Sequence, residues 1–221
     1  MRICRIRLHM VPAAAAVLAS LLFLSACNHS SASKGSAVSK PMEIPENAQS
    51  IVLGMGCFWG AEKRMSALPG VVDVVSGYAG GDFADPTYKE VIYSEYLPGV
   101  VNHAEVVKVV FDPVATSAEK VLIGFWQSHN PTQGDRQGND RGSQYRSAVY
   151  FNDKAHGDIA LRTRDVYQQA LSSEGYGPIT TEIAPLKEFY TAEEYHQDYL
   201  VKNPNGYCGL GGTGVRYPEG G

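Results

Sequence analysis

The chain has 221 residues with 19 Lys+Arg against 23 Asp+Glu, a formal net charge of −4, and is 44% hydrophobic and 19% charged. These proportions suit a folded domain and exclude a disordered acidic tail or a collagen-like repeat. A pI near 5.9 leaves no electrostatic footprint for nucleic acid, and no set of long apolar runs makes it a multi-span membrane protein.

The charge is uneven. Arg2, Arg5 and Arg7 form a basic start, and residues 1–26 carry no acid. Taking those three from 19 bases leaves 16 against 23 acids, a balance of −7 for the remainder. Val11 to Leu24 is an apolar run rich in Ala and Leu, too short to span comfortably as a helix. Basic start plus short apolar run is secretory signal architecture. It ends in Leu24-Ser25-Ala26-Cys27, which resembles the bacterial lipobox; the resemblance implies cleavage before Cys27 and lipidation of that cysteine. The plainer alternative is an ordinary signal peptide with Cys27 as an incidental thiol. Several acyl chains anchor stably where one is marginal, since each buried methylene adds ~0.8 kcal/mol. Residues 27–49 are Ser-, Ala- and Lys-rich with Pro41 and Pro45, and read as a flexible tether. Asn28 after the lipid cysteine favours the outer membrane in a two-membrane bacterium. The expectation is therefore an extracytoplasmic, membrane-anchored protein of the cell envelope. Cys4 leaves with the signal and Cys27 is consumed by lipid, so Cys57 and Cys208 remain as thiols in an oxidising compartment. By themselves they read more readily as a structural disulfide closing a long loop.

From residue 50 the elements follow in order. Ser50–Met55 is a short strand. Cys57–Leu68 is predicted as a helix, with Phe58, Ala61, Met65 and Leu68 at 3–4 spacing and a stop at Pro69-Gly70. Val71–Ser76 is a strand, residues 77–82 a loop, and Ala104–Phe111 a strand ended by Asp112-Pro113. Thr116 and Glu119 form a capping box that opens a helix to about Ser128. Residues 129–143 read as a long polar loop, Tyr145–Phe151 as a strand, Asp153–Ser173 as an amphipathic helix, and Ile179–Ile183 as a strand. Thr191 and Glu194 cap a short helix, and from Asn203 the chain is Gly-rich and irregular. This order predicts one α+β domain over 50–221, a mixed sheet with packed helices and a ferredoxin-like core with additions.

The chemistry concentrates at Gly56-Cys57-Phe58-Trp59-Gly60. A cysteine between a strand end and a helix start meets unpaired N–H groups that favour an anion, so a stabilised thiolate is expected. Aromatics in a first helical turn are most often core; beside a nucleophile, at least one is a candidate pocket wall.

These residues resemble the A-type peptide methionine sulfoxide reductases. The resemblance runs from about Ile51 to Gly214 through Gly-Cys-Phe-Trp-Gly at 56–60, Gly-Tyr-Ala-Gly-Gly at 77–81, Pro-Thr-Tyr at 86–88 and His-Ala-Glu at 103–105. It continues through Arg-Gln-Gly-Asn-Asp at 136–140, Gln-Tyr-Arg-Ser-Ala at 144–148 and Asn-Pro-Asn-Gly-Tyr-Cys at 203–208. The resemblance implies Cys57 as nucleophile, Phe58 and Trp59 as the wall for the substrate S-methyl, and Glu105 as the acid that protonates the sulfoxide oxygen. It further implies Tyr88 and Tyr145 as assisting hydroxyls, Asp140 as a polar substrate contact and Cys208 as the resolving cysteine. It implies reduction of the S epimer, protein-bound or free, a Cys57–Cys208 disulfide, re-reduction by a thioredoxin-like protein, no metal or organic cofactor, and a monomer.

The chemistry is coherent. A sulfoxide oxygen is a poor leaving group until protonated, and general acid help is worth ~10²–10⁴ in rate. Glu105 must be neutral to give it, which requires burial. Gly206, Gly209, Gly211, Gly212 and Gly214 around Cys208 suit a tail that moves. Two departures stand out. The link before His103 is longer than the resemblance leads one to expect, with Asn102 where Gly is common, and no cysteine follows Cys208. The rival readings are a thiol peroxidase, a disulfide-stapled envelope lipoprotein without activity and, weakest, a zinc site.

Overall fold

A computed structural model describes residues 44–94 and 97–218. The signal segment, Cys4, Cys27 and most of the tether lie outside the described residues.

The first strand, β1 (Gln49–Met55), is apolar at every position from Ile51 to Leu53 because both faces of its sheet are covered. Ile51, Leu53 and Met55 turn to the large core beneath the helices; Val52 turns to a smaller cluster with Ala79, Ala104, Val106, Ala148 and Tyr150. After it come α1 (Phe58–Ser66), β2 (Val71–Ala79), α2 (Tyr88–Ser94), β3 (Ala104–Phe111) and α3 (Ala118–Ser128). A short β4–β5 hairpin (Arg136–Gln137, Asp140–Arg141) and a 3₁₀ turn (Ser143–Tyr145) lead into β6 (Ser147–Phe151) and α4 (Lys154–Ser173). The chain then adds β7 (Glu182–Pro185), β8 (Phe189–Thr191), a 3₁₀ turn (Glu194–His196) and α5 (Tyr199–Lys202).

The sheet order is β7-β6-β1-β3-β2-β8. Its four central strands belong to two interlocked βαβ units. β1-α1-β2 has β3 between its strands, and β3-α3-β6 has β1 between its own; β1–β3, β2–β3 and β1–β6 are all antiparallel. That is the ferredoxin-like arrangement expected. β7 joins β6 in parallel and β8 joins β2 antiparallel, which makes the sheet mixed.

Several boundaries differ from the sequence reading, each for a local reason. Residues 77–79 are strand: Gly77, Tyr78 and Ala79 pair with Val106, Glu105 and Ala104 on one side and with β8 on the other. At Gly77 a Cβ would come within 2.4 Å of the Phe189 ring, so glycine there serves close packing and no turn. The α3 cap is Ser117, whose hydroxyl accepts from Lys120 N at 3.3 Å; Thr116 instead packs on Gly70. The 129–143 stretch holds the β4–β5 hairpin, the strand predicted from Tyr145 begins at Ser147, and the strand predicted over 179–183 lies at Glu182–Pro185. Thr191 ends β8 and caps nothing. Helix α2 falls in a stretch with no predicted element, yet it carries a capping box: Thr87 N donates to Glu90 Oε2 at 2.9 Å and Glu90 N to Thr87 Oγ1 at 3.4 Å.

Candidate functional site

Gly56 leaves β1 with φ +99, and a Cβ there would fall 2.7 Å from Gln137 Cβ. Only glycine makes this turn. It delivers Cys57 to the N-cap of α1, where the cysteine backbone carbonyl accepts from Gly60 N and Ala61 N at 3.2 Å. The Cys57 thiol is free and 9% exposed. The first helical N–H, that of Phe58, donates to Glu105 Oε2 at 3.1 Å. Glu105 projects from β3 opposite Tyr78 and is only 2% exposed. Burial pushes its carboxyl up to about 8, against the smaller opposing pull of the Phe58 N–H. The acid the sequence singled out is therefore held neutral near pH 7, one residue from the cysteine.

The expectation of a stabilised thiolate needs correction. Burial first, and the Glu105 charge second, push the Cys57 thiol well above its ordinary range. The N–H groups of Trp59 and Gly60 do pull it down, as a helix start should, but less than desolvation raises it. The resting pair is thus a protonated acid beside a protonated thiol.

The adjacent aromatics have different surroundings. Phe58 is 1% exposed and packs between Tyr78 and His196, with ring centroids 5.8 and 4.8 Å away. Trp59 is partly exposed, stacks on Tyr199 with centroids 3.7 Å apart and planes 13° from parallel, and donates Nε1–H to His196 Nδ1 at 3.0 Å. Tyr88 opens α2 and Tyr145 closes the 3₁₀ turn; both are half-buried. Burial first and the Glu105 charge second raise both phenols, Tyr88 to about 12, so each stays a neutral donor. The charges of Cys57 and Asp140 act on both as well. Asp140 lies on β5 and accepts a hydrogen bond from the Tyr207 hydroxyl.

Cys208 is free and exposed. Its Sγ lies against α1: a Cβ on Gly60 would fall 3.1 Å from it and 2.5 Å from Leu210 Cδ1. The tail is pinned on both sides of the cysteine, by Tyr207 on Asp140 and by Arg64 Nη2 donating to the Leu210 carbonyl at 2.6 Å. Leu210 itself is 7% exposed against the start of α1. Every residue expected in the site is thus drawn to the end of the sheet where β1 turns into α1.

The family model described as peptide methionine sulfoxide reductase matches residues 49–214. Peptide methionine sulfoxide reductase MsrA 1 of Synechocystis is 53% identical over 177 residues, covering 80% of this chain and 78% of its own. The mitochondrial peptide methionine sulfoxide reductase of Homo sapiens is 53% identical over 177 residues, covering 80% and 73%. Methionine sulfoxide reductase A of Corynebacterium diphtheriae superposes with a TM-score of 0.66 at 41% identity, covering 79% of this chain and 85% of that one. The chain belongs to the A-type peptide methionine sulfoxide reductases. It is an oxidoreductase that reduces methionine sulfoxide, and so neither a thiol peroxidase nor an inert staple.

In this reductase several residues around the site were not singled out by sequence. Glu193 accepts from the Tyr78 hydroxyl and from Tyr88 N, both at 2.9 Å, and so ties α2 to β2. His196 meets Phe58, Trp59 and Tyr88 at once. Glu62, 5% exposed, accepts from Ser76 Oγ at 3.3 Å and from the N–H groups of Asp198 and Tyr199. Glu62 and Trp59, one turn apart on α1, therefore grip α5 together. In the sequence Glu193 and His196 stand in a stretch read only as a short capped helix, and Glu62 falls within the predicted 57–68 helix with no role assigned. The available signal was Glu62 and Trp59 sharing one helix face three residues apart.

Proposed function

We propose that the reductase acts on the S epimer of methionine sulfoxide, free or in proteins, through a sulfenic acid on Cys57. Neutral Glu105 donates a proton to the sulfoxide oxygen as Cys57 sulfur attacks the sulfoxide sulfur, and the thiol proton restores Glu105. Methionine sulfoxide and one thiol become methionine and Cys57–SOH, with no other reactant. Tyr88 and Tyr145 donate hydrogen bonds to the oxygen as it leaves, Asp140 orients the substrate, and Phe58 with Trp59 receives its S-methyl. Burying that methyl contributes about 0.8 kcal/mol to substrate and product alike, so discrimination rests on the donors that lose their partner in the thioether. Cys208 thiol then attacks Cys57–SOH, releasing water and forming the Cys57–Cys208 disulfide. A thioredoxin-like dithiol reopens it and leaves oxidised.

One observation carries this reading: a carboxyl with 2% exposure, pushed up to about 8, bonded to the residue after the cysteine. It is tested by single turnover of reduced protein with each epimer, followed by peptide mass mapping. The expected result is one methionine per protein from the S epimer alone and a Cys57–Cys208 link. Cys208→Ser should release one methionine and stall with oxidised Cys57; multiple turnovers without a thiol donor overturn the scheme.

The N-terminal segment points to lipid attachment at Cys27 and repair of oxidised proteins in the cell envelope, facing the periplasm from the outer membrane where two membranes exist. Labelling with a radioactive fatty acid should mark the wild type and spare Cys27→Ser.

A further inference from the structure

The β4–β5 hairpin touches both cysteine neighbourhoods, and one buried side chain fixes where it stands. Gln137 is 2% exposed, and its amide closes on the backbone of Asn130: Oε1 accepts from Asn130 N at 3.1 Å and Nε2 donates to the Asn130 carbonyl at 3.0 Å. Turning the amide round would set donor on donor and acceptor on acceptor, so its orientation is fixed. Asn130 follows His129, whose buried ring is bonded to the Phe125 carbonyl at 2.9 Å and to Ser147 Oγ at 2.7 Å. Ser147 in turn pairs with Met55, the last residue of β1. The stem of Gln137 returns to that same strand end: a Cβ on Gly56 would fall 2.7 and 2.8 Å from its Cβ and Cγ. From Met55 through Ser147, His129, Asn130 and Gln137 back to Gly56, hydrogen bonds and close packing form a closed frame around the Cys57 turn.

The other side of the hairpin meets the chain on both sides of Cys208. Asp140, paired with Gln137 in the two-stranded ladder, accepts from the Tyr207 hydroxyl. At the tip, a Cβ on Gly138 would fall 3.0 Å from the Gly209 carbonyl oxygen. The tip is itself braced: Gly138 N donates to Gln133 Oε1 at 2.9 Å, and the Gly138 carbonyl accepts from Arg136 Nε at 2.6 Å. A hairpin held so tightly moves as a unit. Any shift of it relative to Gly56 therefore shifts residues 207 and 209, and Cys208 between them, relative to Cys57.

We propose that Gln137 is a positioning residue for the second step of the reaction: it locks the β4–β5 hairpin to the Cys57 turn, and the hairpin presents Cys208 to oxidised Cys57. The inference rests on the Cys57–Cys208 cycle proposed above. In that step the S–S bond forms, the S–O bond of Cys57–SOH breaks, and the Cys208 thiol proton leaves with the hydroxyl as water. Gln137 touches neither sulfur and takes no part in the bond changes. It acts through Gly56 on one side and through Asp140 and Gly138 on the other.

The test is single turnover of the reduced protein at saturating methionine sulfoxide, where a weakened substrate contact at Asp140 no longer limits the rate. Rapid quench with peptide mass mapping times methionine release and the Cys57–Cys208 link separately. Gln137→Met keeps an apolar stem against Gly56 and removes both bonds to Asn130. Gly138→Ala presses on the Gly209 carbonyl from the other end of the hairpin. In each variant the rate constant of disulfide formation should fall by ~10–100-fold, as for a reacting group misplaced by about 1 Å, while methionine release keeps its rate. Oxidised Cys57 then accumulates as a sulfenic acid that dimedone traps. A purely structural role would lower the amplitude of the methionine burst and leave both rate constants as they are. Gly138 lies at the hairpin tip outside the core, so its variant folds even where Gln137→Met does not. A link formed at the wild-type rate in either folded variant, or equal slowing of the two steps, overturns the inference. A wild type that releases methionine without forming the link overturns the cycle itself, and the inference with it.

Discussion

The two cysteines of this reductase inhabit opposite kinds of structure. Cys57 is buried where a sheet strand turns into a helix, and every neighbour is held by the core: Gly56 by Gln137, Phe58 by Tyr78 and His196, Glu105 by β2 and the Phe58 N–H. Cys208 is exposed on a glycine-rich segment without regular structure, flanked by the Tyr207 bond to Asp140 and the Arg64 bond to the Leu210 carbonyl, beyond which Tyr167 and Tyr176 hold Thr213 and Val215. The first arrangement sets proton affinities through desolvation, which needs rigidity. The second allows a sulfur to leave its resting contacts and reach another atom, which needs few and reversible ones. In the proposed cycle the attacking sulfur is positioned by packing, and the resolving sulfur rests on contacts it could exchange.

This contrast can be broken from either side. The largest effect is expected at the rigid half. Cys57→Ser should lower kcat by at least ~10⁴-fold with the urea midpoint little changed, read by methionine release and denaturation together. Next comes Glu105→Gln, expected to cost ~10²–10⁴ in single-turnover methionine release. The same residue sets two pH dependences. The chemical step needs the neutral acid, so its rate should fall as pH rises through about 8. The folded-state carboxyl titrates at about 8 against an ordinary 4.5, so between these values the folded state holds a proton that the unfolded chain has lost. Stability should therefore decrease as pH rises across that interval. Urea midpoints from pH 5 to 8.5 should fall more steeply for wild type than for Glu105→Gln; parallel curves would show that the carboxyl is not buried.

At the Cys208 segment the expected effect is smaller and confined to the second step. Gly60→Ala drives a methyl into Leu210 and towards Cys208 Sγ. It should slow disulfide formation by ~10–100-fold, the cost of a reacting atom displaced by about 1 Å, while the burst of methionine is retained. Rapid-quench mapping of the Cys57–Cys208 link separates the two. The smallest effect is expected at the junction of the halves. Tyr199→Leu removes the ring stacked on Trp59; an aromatic pair is worth ~0.5–1.5 kcal/mol, so KM should rise about 2–10-fold with kcat nearly unchanged.

Much of this arrangement was legible beforehand where local rules act alone. β3 was placed at its observed bounds because Asp112-Pro113 ends it, and α4 because Asp153 caps it and Ala160, Tyr167 and Leu171 recur on one face. Local rules fail where partners distant in sequence decide. Residues 77–79, whose glycine suggested a loop, are strand because β3 and β8 pair with them. Ser117 displaced Thr116 as a cap because Thr116 is occupied against Gly70.

By itself the amino-acid order determined the fold class, the family motifs, and the location of a cysteine at a strand-to-helix turn. These depend on periodicity, turn chemistry and spacing, which act over a few residues. The tertiary structure alone decided that the Cys57 sulfur rests protonated, that Glu105 is neutral beside it, and that α5 is held by Glu62 and Trp59. Proton affinity and side-chain grip follow from desolvation and from contacts across 47 to 137 residues of chain, which no local pattern encodes.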